Sequence, residues 1–287
     1  MNNQKFHLEL ACLSETGRVR ARNEDAVAAD AAHGIVMVAD GMGGHRSGEV
    51  ASQMARDMAI KRLRSKVKRF RAGTLRQAPQ QFAEQIVGEA NRAIHDTSRQ
   101  ETRYQGMGTT LALAIFHDDQ VTLAHVGDSR IYRLRNGKLQ LLTRDDTLLS
   151  DQVEHGLIAA EDAGDSHNRN MVTQALGVNA SVTVHLQGEN VQLGDVYVLC
   201  TDGLNDLVED SDLELIVDSL KTNLPMAASH LVQLANDNGG YDNITVALAR
   251  VVEPLAEPEP VVERRGWFSR LFGWLTSKPA EKSSWPN

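Results

Sequence analysis

Short apolar runs bounded by glycine, aspartate or asparagine dominate the first and last thirds of the chain. Runs of this length and composition are typical of β-strands. They predict strands at EDAVAAD, GIVMVAD, TLALAIF, VTLAHVG, SRIYRL, VYVLCTD and ITVALARV. The Asn136-Gly137 pair between SRIYRL and KLQLLT predicts a tight hairpin, because this dipeptide suits a two-residue turn.

Apolar residues at helical spacing fall between these strands. They predict helices over roughly 47–65, with Ser47 as the N-cap, over 78–99, and near the end over 211–219 and 225–236. Strands and helices do not alternate one by one. The pattern therefore indicates an α+β layered fold, in which antiparallel sheets are flanked by helices.

The composition changes after Val252, where a Pro- and Glu-rich stretch begins. Such a stretch is extended and cannot pack a core. Beyond it, tryptophan, phenylalanine and leucine lie along one helical side, with arginines around them. We predict a folded domain over 1–252, a linker over 253–263 and an amphipathic tail over 264–287. The tail would anchor at a membrane surface or dock on a partner, or it would fold back on the domain.

The chain has 287 residues with 41% hydrophobic side chains, enough for one large core or two modest ones. Its net charge of −8 argues against general nucleic-acid binding. The segment 61–76 nevertheless carries eight basic residues. They are spread around a predicted helix and its exit, so a solvated helix face is favoured over a docking surface.

Cys12 and Cys200 each lie in an apolar stretch, which favours buried thiols in a reducing compartment. The first residues lack the pattern of a signal peptide, and no apolar run approaches the roughly 20 residues that span a bilayer. We therefore expect a soluble, cytoplasmic protein.

Aspartates recur at the ends of the apolar strands: Asp40 closes GIVMVAD, Asp128 and Asp202 each follow a strand, and Asp242 precedes one. One such residue would be an ordinary turn residue. Four in the same context indicate a shared cation, because removing an unpaired carboxylate from water costs several kcal/mol. Ligands that are all oxygen select Mg²⁺ or Mn²⁺ over Zn²⁺.

A hairpin of EDAVAAD and GIVMVAD that turns about Ala32 would place Glu24 opposite Asp40. Their Cβ atoms would be about 5 Å apart, so a divalent cation would be needed to offset the repulsion. A shift of one residue would move Glu24 to the other face. The glycines that follow, in DGMGGHRSGEVAS, would let the backbone pass close to an ion.

These residues resemble the metal-dependent type-2C (PPM) protein phosphatases, in particular bacterial members that oppose Ser/Thr kinases. The resemblance covers roughly residues 8–251 and rests on motifs in the order of that family. They are GRVRARNED at 17–25, VADGMGGHRSGEVAS at 38–52, GMGTTL at 106–111, VGDSRIYRL at 126–134, TQALG at 173–177, TDGLND at 201–206 and GGYDNIT at 239–245.

The resemblance implies an αββα sandwich with a binuclear metal centre at one rim of the sheets. Asp40 would bridge two Mn²⁺ or Mg²⁺ ions. Glu24 and the carbonyl of Gly41 would be further ligands of one ion, and Asp202 and Asp242 would be further ligands of the other.

The resemblance also assigns residues around this centre. Asp25 would support the ligands from behind. Asp128, with Asp202 and Asp206, would form a weaker third metal site. Arg20 would bind the phosphate of the substrate through its bidentate guanidinium.

The implied reaction is direct attack on phosphorus by a water that bridges the two ions, with Arg20 and the metals neutralising the phosphoryl oxygens. The absence of a C-x5-R loop independently disfavours the cysteine phosphatase route. The implied partners are phosphorylated proteins and a cognate Ser/Thr kinase, and we expect a monomer.

Two positions depart from the family pattern. Met42 stands where some members have a histidine proposed as general acid, and His45 is the nearby alternative, although an exposed loop histidine is the favoured interpretation. Asp146 stands where relatives often have histidine, so the substrate-facing flap that follows would have an altered specificity.

Two rival functions compete with that of an active phosphatase. A catalytically inactive relative would serve as a binding module, but all predicted ligands are present. A metal-dependent nuclease would find support in the basic segment 61–76, and the ordered motifs outweigh it.

Overall fold

The structure is a computed structural model that describes residues 6–44, 46–158 and 171–253 of the chain. Outside the described residues lie His45, part of the predicted flap, all but the first residue of the predicted linker, and the predicted tail. The proposed domain boundary at 252 and the role of the tail therefore stay predictions.

Two antiparallel five-stranded sheets form the centre of the described part. The first, sheet A, has the order β1 (His7–Glu15), β12 (Ile244–Val252), β11 (Val196–Cys200), β8 (Arg130–Arg135) and β9 (Lys138–Leu141). The second, sheet B, has the order β10 (His185–Asn190), β7 (Gln120–Val126), β6 (Leu111–His117), β3 (Ile35–Ala39) and β2 (Ala26–Asp30). A short ribbon joins β4 (Gly41–Met42) to β5 (Gly108–Thr109).

Helices cover the outer face of each sheet. Sheet B is covered by α1 (Ser47–Arg71) and α2 (Pro79–Gln100), whose apolar residues share one core with its strands. Sheet A is covered by α4 (Asp202–Asn205), α5 (Asp210–Leu220) and α6 (Leu224–Asp237). A further helix, α3 (Leu148–Glu154), lies shortly before residues 159–170, which the structure does not describe. None of the described helices is long and apolar enough to cross a bilayer.

A third core lies between the two sheets. Because successive residues of a strand point to opposite faces, Met37 of β3 packs toward the helices while Val36 and Val38 pack toward sheet A. Tyr197 and Leu199 of β11 meet them from the other side. The layers are thus helix, sheet, sheet, helix, and the predicted αββα fold is confirmed.

The β2–β3 hairpin differs from the predicted register by one residue. Ala26 pairs with Ala39 and Asp30 with Ile35, so the turn is one residue longer than assumed. Gly34 ends this turn with a φ of 68°, a left-handed conformation that favours glycine. Continuing the ladder places Asp25 opposite Asp40, and the predicted pairing of Glu24 with Asp40 is wrong.

The predicted hairpin turn at Asn136-Gly137 is confirmed, whereas some elements and the exposure of one cysteine differ from the predictions. Asn136 and Gly137 have φ values of 53° and 73°, as the predicted two-residue hairpin requires. The strands β1 and β10 and the helix α3 were not predicted. Cys200 is buried as predicted, but Cys12 is exposed, because β1 is an edge strand with only part of one face covered.

Helix α1 is longer than predicted at its C-terminal end, and its N-cap is Arg46 rather than Ser47. The last turn is fixed by Arg71, whose guanidinium donates to the carbonyls of Ala32 at 2.7 Å and His33 at 3.0 Å. Other basic residues of 61–76 also have local partners, since Arg64 contacts Asp30. These contacts agree with a solvated helix face.

We expect Leu63→Ala to lower the free energy of unfolding by about 2–5 kcal/mol, because Leu63 is fully buried between α1 and sheet B. The measurement is urea denaturation followed by circular dichroism. The matched control is Leu215→Ala on α5, where the side chain is 64% exposed and a change within about 0.5 kcal/mol is expected. Equal losses in the two variants would contradict the assigned layers.

Candidate active site

A cavity of about 380 Å³ opens at the rim where strand ends of the two sheets meet. Its lining includes Arg20, Glu24, Asp40, Gly41, Met42, Asp128, Asp202, Asp242 and Asn243. Six residues predicted to bind metal and the predicted phosphate-binding arginine thus share one cavity, whereas Asp206, the other residue assigned to the third metal site, is not in its lining.

Strand ends deliver the carboxylates to this rim. Asp40 follows β3 and Asp128 follows β7 by two residues, while Asp202 begins α4 directly beyond β11. Asp242 precedes β12 by two residues. Strands from both sheets end on the same side, so four aspartates that are distant in sequence face one space.

Asp25 lies behind the cavity rather than in its lining. Its Oδ2 atom accepts hydrogen bonds from the hydroxyls of Thr201 at 2.9 Å and Thr245 at 2.6 Å. Burial raises the pKa of Asp25 to about 7, against the effect of these hydrogen bonds, and the charges of Asp202 and Asp242 add to the increase.

The carboxylates in the lining are also difficult to ionise. Burial raises the pKa of Asp128 to about 7 and that of Asp202 to about 6. Burial and the charge of Asp25 hold the pKa of Asp40 well above its ordinary value. Asp206 lies outside the lining, at the end of α4, but its charge contributes to the increases at Asp128 and Asp202.

Burial raises the pKa of Glu24 as well. Arg20 and Arg22 oppose this increase, and Glu49 adds to it. The Nη2 atom of Arg20 lies 2.7 Å from Oδ2 of Asp242, and its side chain is 56% exposed. The guanidinium is therefore held at the mouth of the cavity, where a substrate phosphate can reach it.

The residues present fit divalent cations. The Oδ1 atoms of Asp25 and Asp202 are buried without a hydrogen-bond partner. A Cβ atom on Gly48 would lie 2.3 Å from Oε2 of Glu24, so glycine in the first turn of α1 makes room for that carboxylate. The donors are all oxygen, as Mg²⁺ and Mn²⁺ prefer.

Side chains of the cavity contact one another rather than surround a common point. Within the described ranges, no three acidic, histidine or cysteine side chains are grouped tightly enough to hold an ion. Asp40 instead lies close enough to Asp202 for that charge to raise its pKa, after burial and the charge of Asp25, and Arg20 pairs with Asp242. Cation binding would replace these two contacts.

Asn243 organises the loop that carries Arg20 and Glu24, and it was not predicted. Its Nδ2 atom donates to the carbonyls of Thr16 at 3.0 Å and Arg22 at 2.8 Å. Its Oδ1 atom accepts from the backbone N–H of Glu24 at 2.8 Å. The only signal in the sequence is its place directly after Asp242.

Two threonine hydroxyls from the motif at 106–111 fix the backbone of Asp40. Thr110 Oγ1 accepts from its N–H at 2.9 Å, and Thr109 Oγ1 donates to its carbonyl at 2.7 Å. Ser129, next to Asp128, lies 2.6 Å from Thr110 Oγ1. One network thus positions the loops of Asp40 and Asp128 together.

Asp146, one of the two departures from the family pattern, is buried near the loop of Asp128. Its Oδ2 atom accepts from the N–H of Gly127 at 2.9 Å, and its Oδ1 atom lies 2.8 Å from Nε2 of His185. The ring of His185 stacks on His125 at 4.8 Å. Asp146 therefore ties this loop to β10, and an altered flap specificity stays a prediction.

The chain is similar in sequence to known protein phosphatases. The sequence profile of the family described as protein phosphatase 2C matches residues 17–237. The serine/threonine phosphatase stp of Listeria monocytogenes serotype 4b is 38% identical over 238 residues, which are 82% of this chain and 92% of that protein.

Solved structures show the same architecture. The crystal structure of the Mycobacterium tuberculosis serine/threonine phosphatase PstP/Ppp matches with a TM-score of 0.78 and 35% identity, over 86% of this chain and 100% of that one. The PstP catalytic domain in complex with two manganese ions matches with a TM-score of 0.75 and 35% identity, over the same shares.

The sandwich and its acidic cavity are those of a metal-dependent phosphatase. The chain belongs to the protein phosphatase 2C family. The comparisons confirm the family and the fold class that the motifs implied, and with them the predicted dependence on divalent metal ions, which are manganese in the PstP structure.

We expect Mn²⁺ to raise the melting temperature, and to do so more near pH 7 than near pH 5. Asp25, Asp128 and Asp202 have pKa values of about 6 to 7 when folded, against an ordinary 3.8. Between about pH 4 and 7 the metal-free folded protein thus binds more protons than the unfolded chain, and its stability falls as pH rises. Metal binding requires deprotonated ligands, so its stabilisation grows over that range.

Differential scanning fluorimetry measures this effect. At Mn²⁺ about 100-fold above Kd, the expected increase in melting temperature near pH 7 is about 5–10 °C. Asp202→Asn should stabilise the metal-free protein by removing a repelling charge, and it should lose most of the response to Mn²⁺. A response to Mn²⁺ of equal size at the two pH values would be evidence against a carboxylate metal site.

Proposed function

We propose that the protein hydrolyses phosphoserine and phosphothreonine esters in proteins with Mn²⁺ or Mg²⁺ as cofactor. The observation that carries this proposal is the single cavity that gathers acidic residues from both sheets around Arg20. The relatives named as serine/threonine phosphatases support the same substrate class.

The proposed ligand set follows the family motifs. Asp40 would be shared by two ions, with Glu24 and the Gly41 carbonyl on one and Asp202 and Asp242 on the other. Their common cavity and the buried, unpaired Oδ1 atom of Asp202 support this assignment. When bound, the ions supply a water nucleophile at neutral pH and offset charge on the phosphoryl oxygens.

Three further acids would act around this pair. Asp128, with Asp202 and Asp206, would hold a weaker third ion. Beyond the effect of burial, the charges of Asp202 and Asp206 raise the pKa of Asp128, and the charge of Asp206 raises that of Asp202, which supports their proximity. Asp25 would orient the loops of sheet A through Thr201 and Thr245.

Arg20 would bind the phosphoryl group and orient it for attack. A guanidinium donates two parallel hydrogen bonds to phosphate, and that of Arg20 belongs to a side chain that lines the cavity and is 56% exposed. Met42 lines the cavity without a titratable group. The proton for the leaving seryl or threonyl oxygen must therefore come from another group.

We infer that the enzyme opposes a cognate Ser/Thr kinase in signalling, and that it acts as a monomer in the cytoplasm. Docking of the tail at a membrane surface or on a partner stays a prediction from the sequence.

The purified protein should hydrolyse p-nitrophenyl phosphate and a phosphothreonine peptide with Mn²⁺, and excess chelator should abolish both activities. Asp202→Asn should lower kcat at least about 100-fold, because it removes the negative charge of one of the proposed metal ligands. Retention of turnover in this variant, or release of nucleotides from DNA or RNA in place of phosphate from the peptide, would overturn the proposal.

Arg20→Ala should lower kcat/KM for the phosphothreonine peptide about 10- to 100-fold, since it removes charge-assisted hydrogen bonds to the phosphoryl group. Arg20→Lys should recover part of this loss. The matched control is Arg18→Ala, which removes a guanidinium two residues away that pairs with Asp237 outside the cavity. An equal loss in both variants would argue against a specific role for Arg20.

A further inference from the structure

A second, larger cleft of about 1070 Å³ lies beside the acidic cavity, and the two share the same loops. Arg22 lines the cleft two residues after Arg20, and Gly44 lines it directly after Gly43 of the cavity. Two residues of extended chain span at most about 7 Å. The wall of the cleft therefore begins within about that distance of the cavity wall.

The cleft is positively charged in a protein whose net charge is −8. Among the described residues, Arg22, Arg46 and Arg103 line it, together with one acidic residue, Glu49. The pKa of Glu24, which burial raises, also responds to Arg22 and Glu49, so these charges lie within electrostatic reach of the acidic cavity.

The arginines differ in how they are held. The guanidinium of Arg103 lies 4.5 Å from the ring centroid of Tyr104 and pairs with Glu101 at 2.6 Å, which fixes its orientation. Among the described residues, neither Arg22 nor Arg46 has an ion-pair partner for its exposed guanidinium. Two guanidinium groups are thus available to a ligand beside a third that is preoriented.

The rest of the lining suits a peptide. Val50 and Tyr104 line the cleft and pack against the core between α1, α2 and sheet B. An apolar wall with arginines around it can contact both the aliphatic part and the charged end of an acidic side chain. A simple surface cluster of arginines would offer no such wall.

We propose that this cleft, lined by Arg22, Arg46 and Arg103, is a subsite for a second anionic group of the phosphoprotein substrate. The group is a carboxylate or a second phosphoryl group near the phosphorylated residue, and the proposal rests on the phosphatase function proposed above. An extended peptide advances about 3.3 Å per residue. An acidic group about two to four residues from the phosphorylated one therefore reaches the cleft.

The test compares kcat/KM, with Mn²⁺, for phosphothreonine peptides that differ only in their flanks. One peptide has neutral flanks, one has aspartates two to four residues away on either side, and one has a second phosphothreonine there. For the unaltered enzyme, both anionic peptides should exceed the neutral one about tenfold, through a lower KM. A gain with the second phosphothreonine alone would narrow the ligand to a phosphoryl group.

Variants assign the preference to the cleft. Each variant is scored by its own ratio of anionic to neutral peptide, so a general loss of activity cancels. In Arg22→Gln/Arg46→Gln the ratio should fall below about twofold, and Arg46→Lys should retain part of it. Arg22→Glu/Arg46→Glu should favour a lysine-flanked peptide. The control Arg69→Gln, an exposed arginine at the far end of α1, should keep the original ratio.

Three results would overturn the subsite. They are equal kcat/KM for neutral and anionic peptides, an anionic preference that survives removal of both arginines, and an equal loss of preference in Arg69→Gln. The assay also separates this proposal from the one on which it rests. If the enzyme hydrolyses p-nitrophenyl phosphate but has equal kcat/KM for the anionic and neutral peptides, only the subsite is rejected. If it hydrolyses none of these substrates, the phosphatase function is rejected as well.

Discussion

Repulsion among carboxylates at the rim of the two sheets is the constraint on which the rest of the structure depends. Burial raises the pKa of Asp25, Asp40, Asp128 and Asp202, and the charge of Asp202 adds to the increase at the other three. Two of their oxygens lack hydrogen bonds. Folding alone does not relieve this repulsion. Because the clustered carboxylates destabilise the metal-free protein, the binding of cations there is favourable. The protein thus loses stability locally at the site that its function requires.

Packing of the apolar layers fixes the positions of the strand ends, while hydrogen bonds orient the acidic residues that follow them. Packing of α1 and α2 on sheet B fixes where β3 ends, but it does not orient the residue beyond that end. Thr109 and Thr110 do so for Asp40, and Asn243 does so for the loop of Glu24. Each of these contacts joins distant parts of the sequence, so the cavity is a product of the whole domain.

The sequence predicts those features that depend on residues close together along the chain. Asp40 was assigned because a charge at the end of an apolar strand is conspicuous, and the Asn136-Gly137 turn has a backbone requirement of its own. The β2–β3 register was wrong by one residue because turn length is set by the packing of both strands. Exposure of Cys12 depends on which strand lies at an edge, and the role of Asn243 depends on a contact across more than 200 residues. Neither leaves a local pattern.

The position of β12 sets the order in which the protein can be completed. This strand is the last described element, yet it lies between β1, the first, and β11, and Asp242 stands just before it. During synthesis from the N-terminus, β1 has no partner strand until almost all of the domain has been made. Sheet B draws only on residues 26–190 and is free to form earlier. The cavity therefore cannot be complete in a growing chain until β12 has been made, and a translation product that stops before Asp242 lacks one of its acidic residues.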